Sequence, residues 1–275
     1  WDIWRIGTDG SGLAQLTADA AMPHATPDGN KLALVALGGA HRQIALLDLT
    51  TRALDAITDD EADHWNPTIS PDGRSVVYHK RTDGETTPNV ELWGAPSGTK
   101  LNLLRLAGAF PAFSPDHQRV ALTGRGFAAI DVMKLDGSDR RTIFEGEHRS
   151  LFGMSWSHAP EQIAFSHGVV FGEAGAQVKI KAAAPTGEEL TPLTAKAGNN
   201  GFPSYSPDGR QLVFRSGRGG SKNLYIMDRD GSNVRRLTEG AWTDTMCDWS
   251  PRRDGSVFAR NRNDNYEVRR RRGDR

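Results

Sequence analysis

This 275-residue sequence predicts an all-β fold: six four-stranded antiparallel blades set around a common axis as a closed β-propeller. Three observations predict it. A turn recurs at a nearly fixed interval, as Thr26-Pro27-Asp28-Gly29, Ser70-Pro71-Asp72-Gly73, Ser114-Pro115-Asp116-His117 and Ser206-Pro207-Asp208-Gly209, with degenerate copies at Ser157 and Ser250. The six copies start 44, 44, 43, 49 and 44 residues apart, and a period of about 40–45 residues is that of a four-stranded propeller blade. The segments between turns alternate with period two, as strands do, and none of comparable length has a helical period. Finally, the chain starts and stops in the middle of a repeat.

The elements follow in a fixed order. The first strand of each unit ends on a bulky residue just before the turn: Ile69, Phe113, Trp156, Tyr205 or Trp249, with Ala25 the small member. These side chains are expected to pack between adjacent blades. Two residues earlier stand Pro23, Pro67, Pro111, Met154, Pro203 and Cys247. Proline fits a sheet only at an edge or a strand's first residue, which suits the innermost strand of a blade. In the turn, Pro fixes φ at the second position, Ser or Asp bonds the local backbone, and Gly suits the fourth. The fourth and sixth copies depart from this pattern (Ser157-His158-Ala159-Pro160 and Ser250-Pro251-Arg252-Arg253), so wider turns are expected there.

Second strands are expected at 32–37, 75–79, 120–123, 163–166, 212–215 and 257–260. Third strands are expected at 43–47, 90–93, 129–134, 178–182 and 223–227, and fourth strands at 54–58, 101–106, 141–144, 190–194 and 234–238. The N-terminal 2–6 and 13–17 read as a third and a fourth strand. The C-terminus supplies the first and second, so the two ends complete one blade and remove open edges. Residues 264–270 also resemble a third strand. They either displace the N-terminal segment or are surplus, and Ile3, Trp4 and Ile6 favour the N-terminal one because they have more to bury.

The whole chain, 1–275, reads as one domain. No apolar run approaches the ~18 residues of a membrane-crossing helix, so no membrane insertion is expected. Net charge is zero, yet residues 252–275 hold nine Arg against four acids, and the rest holds 25 basic against 30 acidic residues. The run Arg269-Arg270-Arg271-Arg272 reads first as a disordered, solvated tail over 269–275. With few aromatics interleaved, it makes a poor nucleic-acid platform. Cys247 is the single cysteine, which rules out an intramolecular disulfide. Because the chain begins at Trp1, a processed or trimmed product is expected.

The units "SPDGRSVVYHKRTDG" and "SPDGRQLVFRSGRGGSKNLYIMDRDGSNVRRLT" resemble the repeats of TolB-like six-bladed β-propellers, and the resemblance covers essentially the whole chain. It implies a binding scaffold for a protein or glycan ligand, and a periplasmic or extracellular setting. Bacterial TolB binds protein partners of an envelope complex and has a further N-terminal domain that this chain lacks. Related propellers precede peptidase domains or act as carbohydrate lyases with metal-binding histidines in the channel. Fold alone does not choose among these uses.

Catalytic motifs are absent from the sequence. It holds no G-x-S-x-G elbow, no P-loop and no H-E-x-x-H. Gly124-Arg125-Gly126-Phe127-Ala128-Ala129 fits the loose dinucleotide pattern but joins two antiparallel strands, without the helix that would receive a pyrophosphate. No cofactor and no metal is assigned. The candidate site lies in the loops that lead into each first strand, which in a propeller gather at one mouth of the channel. Six residues before the turn stand Ala20, His64, Gly108, Leu151, Asn200 and Asp244. With their neighbours they give a ligand-binding set of His64, Trp65, His148, Arg149, Asn199, Asn200, Trp242 and Asp244. Two indoles and a polar ring suit a sugar or a peptide.

The alternatives stay open at this stage. The two Trp can instead cover the joints between blades, and the polar residues can cap turns. A carbohydrate-active lyase or hydrolase would use His64, Asp244 and His148 in the same mouth. His24 and His64, at neighbouring blade starts, leave a cross-blade metal site open, although metals usually need three or more protein ligands. On the binding reading, replacing His64, Trp65, Trp242 and Asp244 together abolishes binding and leaves the melting temperature nearly unchanged.

Overall fold

In the computed structural model, the described residues are 1–81, 89–94, 102–124, 126–147, 150–158, 160–168, 177–195, 198–252 and 254–261. The expected tail at 269–275 and the strand-like 264–270 lie outside them. The strands are β1 (Asp2–Gly7), β2 (Ala14–Thr17), β3 (Ala20–Ala25), β4 (Lys31–Ala36), β5 (Gln43–Asp48), β6 (Leu54–Ala56), β7 (Asp63–Ile69) and β8 (Ser75–Arg81). Next come β9 (Asn89–Gly94), β10 (Asn102–Ala107), β11 (Ala109–Phe113), β12 (Arg119–Gly124), β13 (Ala129–Lys134), β14 (Arg141–Glu145), β15 (Leu151–Ser157) and β16 (Gln162–His167). The last are β17 (Lys179–Ala183), β18 (Thr191–Pro192), β19 (Gly201–Tyr205), β20 (Gln211–Gly219), β21 (Ser221–Asp228), β22 (Arg235–Arg236), β23 (Thr243–Trp249) and β24 (Gly255–Asn261).

They form four-stranded antiparallel sheets, and no helix occurs among the described residues. Five sheets read β3-β4-β5-β6, β10-β9-β8-β7, β11-β12-β13-β14, β15-β16-β17-β18 and β19-β20-β21-β22. The remaining sheet, β2-β1-β24-β23, joins the two ends of the chain, with Asp2 opposite Arg260 and Gly7 opposite Gly255. The first strands β3, β7, β11, β15, β19 and β23 each touch the next, and β23 touches β3, so they line a central axis. The molecule is therefore a β-propeller of four-stranded antiparallel blades.

The bulky residue before a turn is buried against the preceding blade. Ile69 packs with Val35 and Ile44, Trp156 with Ile130 and Ile143, Tyr205 with Ile180, and Trp249 with Leu224 and Ile226. Ala25, the small member, sits against Ile3 and Ala259. Burial of such side chains is the main favourable term holding blade to blade.

Four of the turns are stitched the same way, while Ser157 donates to Pro160 O and Ser250 to Asp254. Ser70 donates its hydroxyl to Asp72 (2.5 Å), Arg74 N–H reaches the same carboxylate, and Ser75 N–H donates to Ser70 Oγ (2.9 Å). Thr26/Asp28, Ser114/Asp116 and Ser206/Asp208 repeat the hydroxyl-to-carboxylate bond. The Thr26 and Ser114 hydroxyls hold Asp28 and Asp116 below the usual carboxylate range. His117 takes the glycine position at φ 58°, beside Gly73 at 71° and Gly209 at 67°. The degenerate turns are not wider. Trp156 pairs with Ile163 and Trp249 with Ser256, the same seven-residue span as Ile69 to Val76.

Two features depart from the expected strands. The fourth strands β6, β18 and β22 stop early, because Thr58, Thr194 and Thr238 turn their hydroxyls into the ladder. Each accepts the N–H of the third strand directly, at Ile44, Ile180 and Leu224 (2.8, 2.8 and 2.9 Å). A side chain thus replaces a backbone carbonyl, and strand geometry ends there.

The second feature lies on the axis. Every first strand carries a bulge in the left-handed region, at Met22, Asn66, Phe110, Gly153, Phe202 and Met246, with φ between 50° and 54°. The register slips at each of them. A bulge leaves one residue unpaired. This is why proline is tolerated next, at Pro23, Pro67, Pro111 and Pro203. Its missing N–H is lost where the ladder is already interrupted, on strands that are the edges of their sheets as expected.

Candidate functional site

All six first strands run the same way, because equivalent positions meet across the blade joints. Their starts form one face of the ring and the Ser-Pro-Asp-Gly turns form the other. The expected site lies on the first of these, the loop face, and there the structure buries much of it.

His64, Asn200 and Asp244 have no exposed surface. His64 N–H donates to the Arg42 carbonyl of the preceding blade (3.0 Å), and its Nδ1 lies 3.1 Å from the same oxygen. Asp63 grips Arg42 as well, through the backbone N–H (2.9 Å) and the guanidinium (2.8 Å). Asn200 repeats this clasp: its N–H donates to Val178 O (3.0 Å), and its Oδ1 accepts from Ser216 (2.7 Å) and Arg218 (3.2 Å). Leu151 N–H to Phe127 O and Ala20 N–H to Trp1 O (both 2.9 Å) are the same contact in other blades. The equivalence of these positions is real. Their shared role is to tie each blade to the one before it.

Asp244 makes a buried bidentate pair with Arg260, at 2.6 and 2.9 Å. The Arg260 guanidinium also lies 5.2 Å from the Trp4 ring and 5.8 Å from that of Trp242. Asn199 accepts from Arg215 at 2.6 Å. Trp65 is half-buried between Arg42 and Arg81 and stacks on His79 at 5.3 Å. Burial first, then the charges of His64 and Arg81, pushes the His79 pKa down to about 3. The predicted residues thus gather in three clusters, around Arg42, around Arg215 and Arg218, and around Arg260. Of the predicted side chains that are described, Trp242 is the most open, at 38% exposure. His148 and Arg149 lie outside the described residues. Among the described residues no three His, Cys, Asp or Glu side chains gather as metal ligands, so His24 and His64 do not form such a group.

A cavity opens at the opposite, turn face. It is about 470 Å³ in volume and lies on the axis among all six first strands. Pro27, Pro71, Pro115, Pro207 and Pro251 of the turns stand at its rim, and the bulge residues Met22, Asn66, Phe110, Phe202 and Met246 stand in its wall. None of the six predicted residues that are described lines it.

Its polar atoms form a belt. Tyr205 N–H donates to Ser155 Oγ (3.0 Å), Trp249 N–H to Ser204 Oγ (3.1 Å), Ala25 N–H to Asp248 Oδ2 (2.9 Å) and Ile69 N–H to His24 Nδ1 (3.3 Å). Each bond crosses from one blade to the next between the same two positions. Thr68 instead donates to Pro111 O (2.9 Å), and Ala112 has no polar atom to offer. Because His24 accepts at Nδ1, its proton sits on Nε2. Cys247, buried in the wall, donates to Phe202 O (3.2 Å), and burial with Asp248 beside it pushes its thiol up. A buried, protonated thiol is a poor nucleophile.

Sequence reasoning missed this site although its residues were visible. The small or polar positions between Pro and the bulky residue are the belt. The signal in the sequence is their alternation, which by itself specifies only a strand.

Comparison with known proteins gives the same architecture. The TolB beta propeller domain profile matches residues 124–270. An uncharacterized protein of Agrobacterium fabrum is 28% identical over 231 residues, covering 80% of this chain and 74% of that protein. A protein named as a TolB homolog of Chlorobium luteolum is 29% identical over 261 residues, and this chain spans 57% of its length. A solved structure assigned to TolB of Agrobacterium tumefaciens superposes with a TM-score of 0.77 at 22% identity, covering 94% of this chain and 96% of that one. At that identity the likeness carries the fold alone. With a family profile spanning more than half its length and a ring of four-stranded blades, this chain belongs to the TolB β-propeller family.

Proposed function

We propose that this protein is a non-catalytic binding platform that accepts a segment of a protein partner in the channel at its turn face. One observation carries the reading: a cavity of about 470 Å³ on the axis, walled by prolines, Met and aromatic side chains and crossed by a single belt of polar atoms. Concave, mostly apolar sites with a few placed polar groups are where ligands bind. The belt atoms are fixed by bonds between blades, so little order is lost on binding. The rigid proline rim suits an extended peptide, whose backbone can meet Ser155 and the Nε2–H of His24.

A second reading places the ligand, protein or glycan, at the loop face. The exposed indole of Trp242 favours it. Site-specific photocrosslinking separates the two. A benzophenone amino acid at position 158, exposed at the turn-face rim, is expected to capture a protein from the native source, and one at position 242 is not. Capture from 242 alone overturns the channel reading and restores the loop face.

A further inference from the structure

We propose that the channel selects a basic side chain, a Lys ammonium or an Arg guanidinium on the inserted segment, and that Asp248 is its counter-ion. The inference rests on the channel being the binding site and goes beyond it by naming the chemistry of what enters.

Asp248 is half-buried in the channel wall, on the strand β23. Among the described lining residues it is the one carboxylate, and no Lys or Arg lines the cavity with it. Nearby cations are engaged elsewhere: Arg252 with Asn30 and the Asp28 carbonyl, Arg215 with Asn199 and Thr245. The carboxylate is held in place by one donor on each oxygen, the Ser204 hydroxyl on Oδ1 (2.9 Å) and Ala25 N–H on Oδ2 (2.9 Å). An ionised carboxylate has about four acceptor sites, so two donors leave capacity for a third partner. A fixed charge in a concave site with apolar walls is felt more strongly than one on an open surface.

The rest of the wall fits the same ligand. A Lys or Arg carries a long apolar stem behind its charge and buries that stem along apolar surface. Met22 and Met246 flank the belt with flexible, polarizable side chains that adapt to such a stem. An acidic segment would meet Asp248 with like charge and no cation to offset it. A purely apolar one would cover the carboxylate without replacing its water, which is costly. Complementary charge of this kind mainly sets specificity.

The test uses the chain as it is. A random heptapeptide display library is panned against the intact protein and, in parallel, against Asp248→Asn. Asparagine keeps an acceptor for Ala25 N–H, and melting curves check that the variant folds. Peptides enriched on the intact protein are expected to carry Lys or Arg at one position, and that bias is expected to vanish on the variant. A synthetic enriched peptide should bind the variant about tenfold or more weakly, as loss of a charge-assisted bond implies. Replacing its basic residue by norleucine should weaken binding to the intact protein equally, an arm that holds even if the variant misfolds. Enriched peptides without a basic position, or an unchanged affinity for the norleucine peptide, overturn the counter-ion role and leave the channel reading standing. Enriched peptides that still bind fully when the wall is plugged by Thr68→Trp overturn the channel reading itself. No enrichment at all counts against both.

Discussion

The two ends of the central channel are made by the same six strands and put to opposite uses. At the loop face, the polar side chains are consumed inside the protein: His64 on Arg42 and Asn200 on Val178 of the preceding blade, and Asp244 on Arg260 of its own blade. At the turn face, four joints are closed by one bond from a backbone N–H to a belt side chain, and those side chains stand around an open volume. Richness in polar residues therefore does not mark the open end of this ring. Buried polar groups must be satisfied, and the loop face satisfies them internally. The contrast is one of access: at the loop face the joint residues His64 and Asn200 are fully buried, whereas at the turn face the joint residues Ser155, His24 and Asp248 also line the cavity.

The largest effect that tests this contrast is at Asp244. Asp244→Ala is predicted to leave Arg260 buried without its partner, and removal of one member of a buried pair costs about 3–5 kcal/mol. Urea denaturation measures it. A cost under about 1 kcal/mol would place the pair in solvent and reopen the loop face as a site. The earlier expectation that His64, Trp65, Trp242 and Asp244 can be replaced together at almost no cost in stability is corrected here, since two of the four have no exposed surface.

A second effect is expected from His79. Its pKa is depressed to about 3 by burial first and then by His64 and Arg81, while in the unfolded chain it returns to about 6.5. A depressed folded value means the neutral ring is the stabilising form. Stability from this group is complete above about pH 6.5 and is lost as pH falls toward about 3, by up to ~1.4 kcal/mol per pH unit. Denaturation curves between pH 7 and pH 4 should show this slope, and His79→Gln should flatten it. An unchanged slope assigns the acid sensitivity to other groups.

The smallest effect is at Trp242. Its indole is 38% exposed and lies against Arg260, so Trp242→Ala is predicted to cost about 1 kcal/mol, well below Asp244→Ala. If it also leaves partner capture intact, the loop face loses its best remaining claim. If capture is lost while the melting temperature holds, the two ends exchange roles.

Much of the scaffold could be read from the residues. The recurring Ser-Pro-Asp-Gly turn, the bulky residue before it and the half-repeats at both ends are local patterns with fixed spacing. Spacing alone sets blade length, turn position and which side chains face the neighbouring blade. The shortened fourth strands were less legible, because Thr58, Thr194 and Thr238 look like ordinary strand residues until their hydroxyls are seen in the ladder. The candidate site was legible only as a list of equivalent positions. His64, Asn200 and Asp244 do align, yet alignment gives no depth.

Sequence by itself determined the repeat, the all-β class and the pairing of chain ends, since each follows from contacts near in sequence or from a period. Only the tertiary structure decided which end of the channel is open. That depends on where Arg42 and Val178 reach into the next blade, and on a left-handed bulge in every inner strand that turns the next residues toward the axis. These are contacts between units, and a one-dimensional repeat states that units are alike without stating how closely they stand.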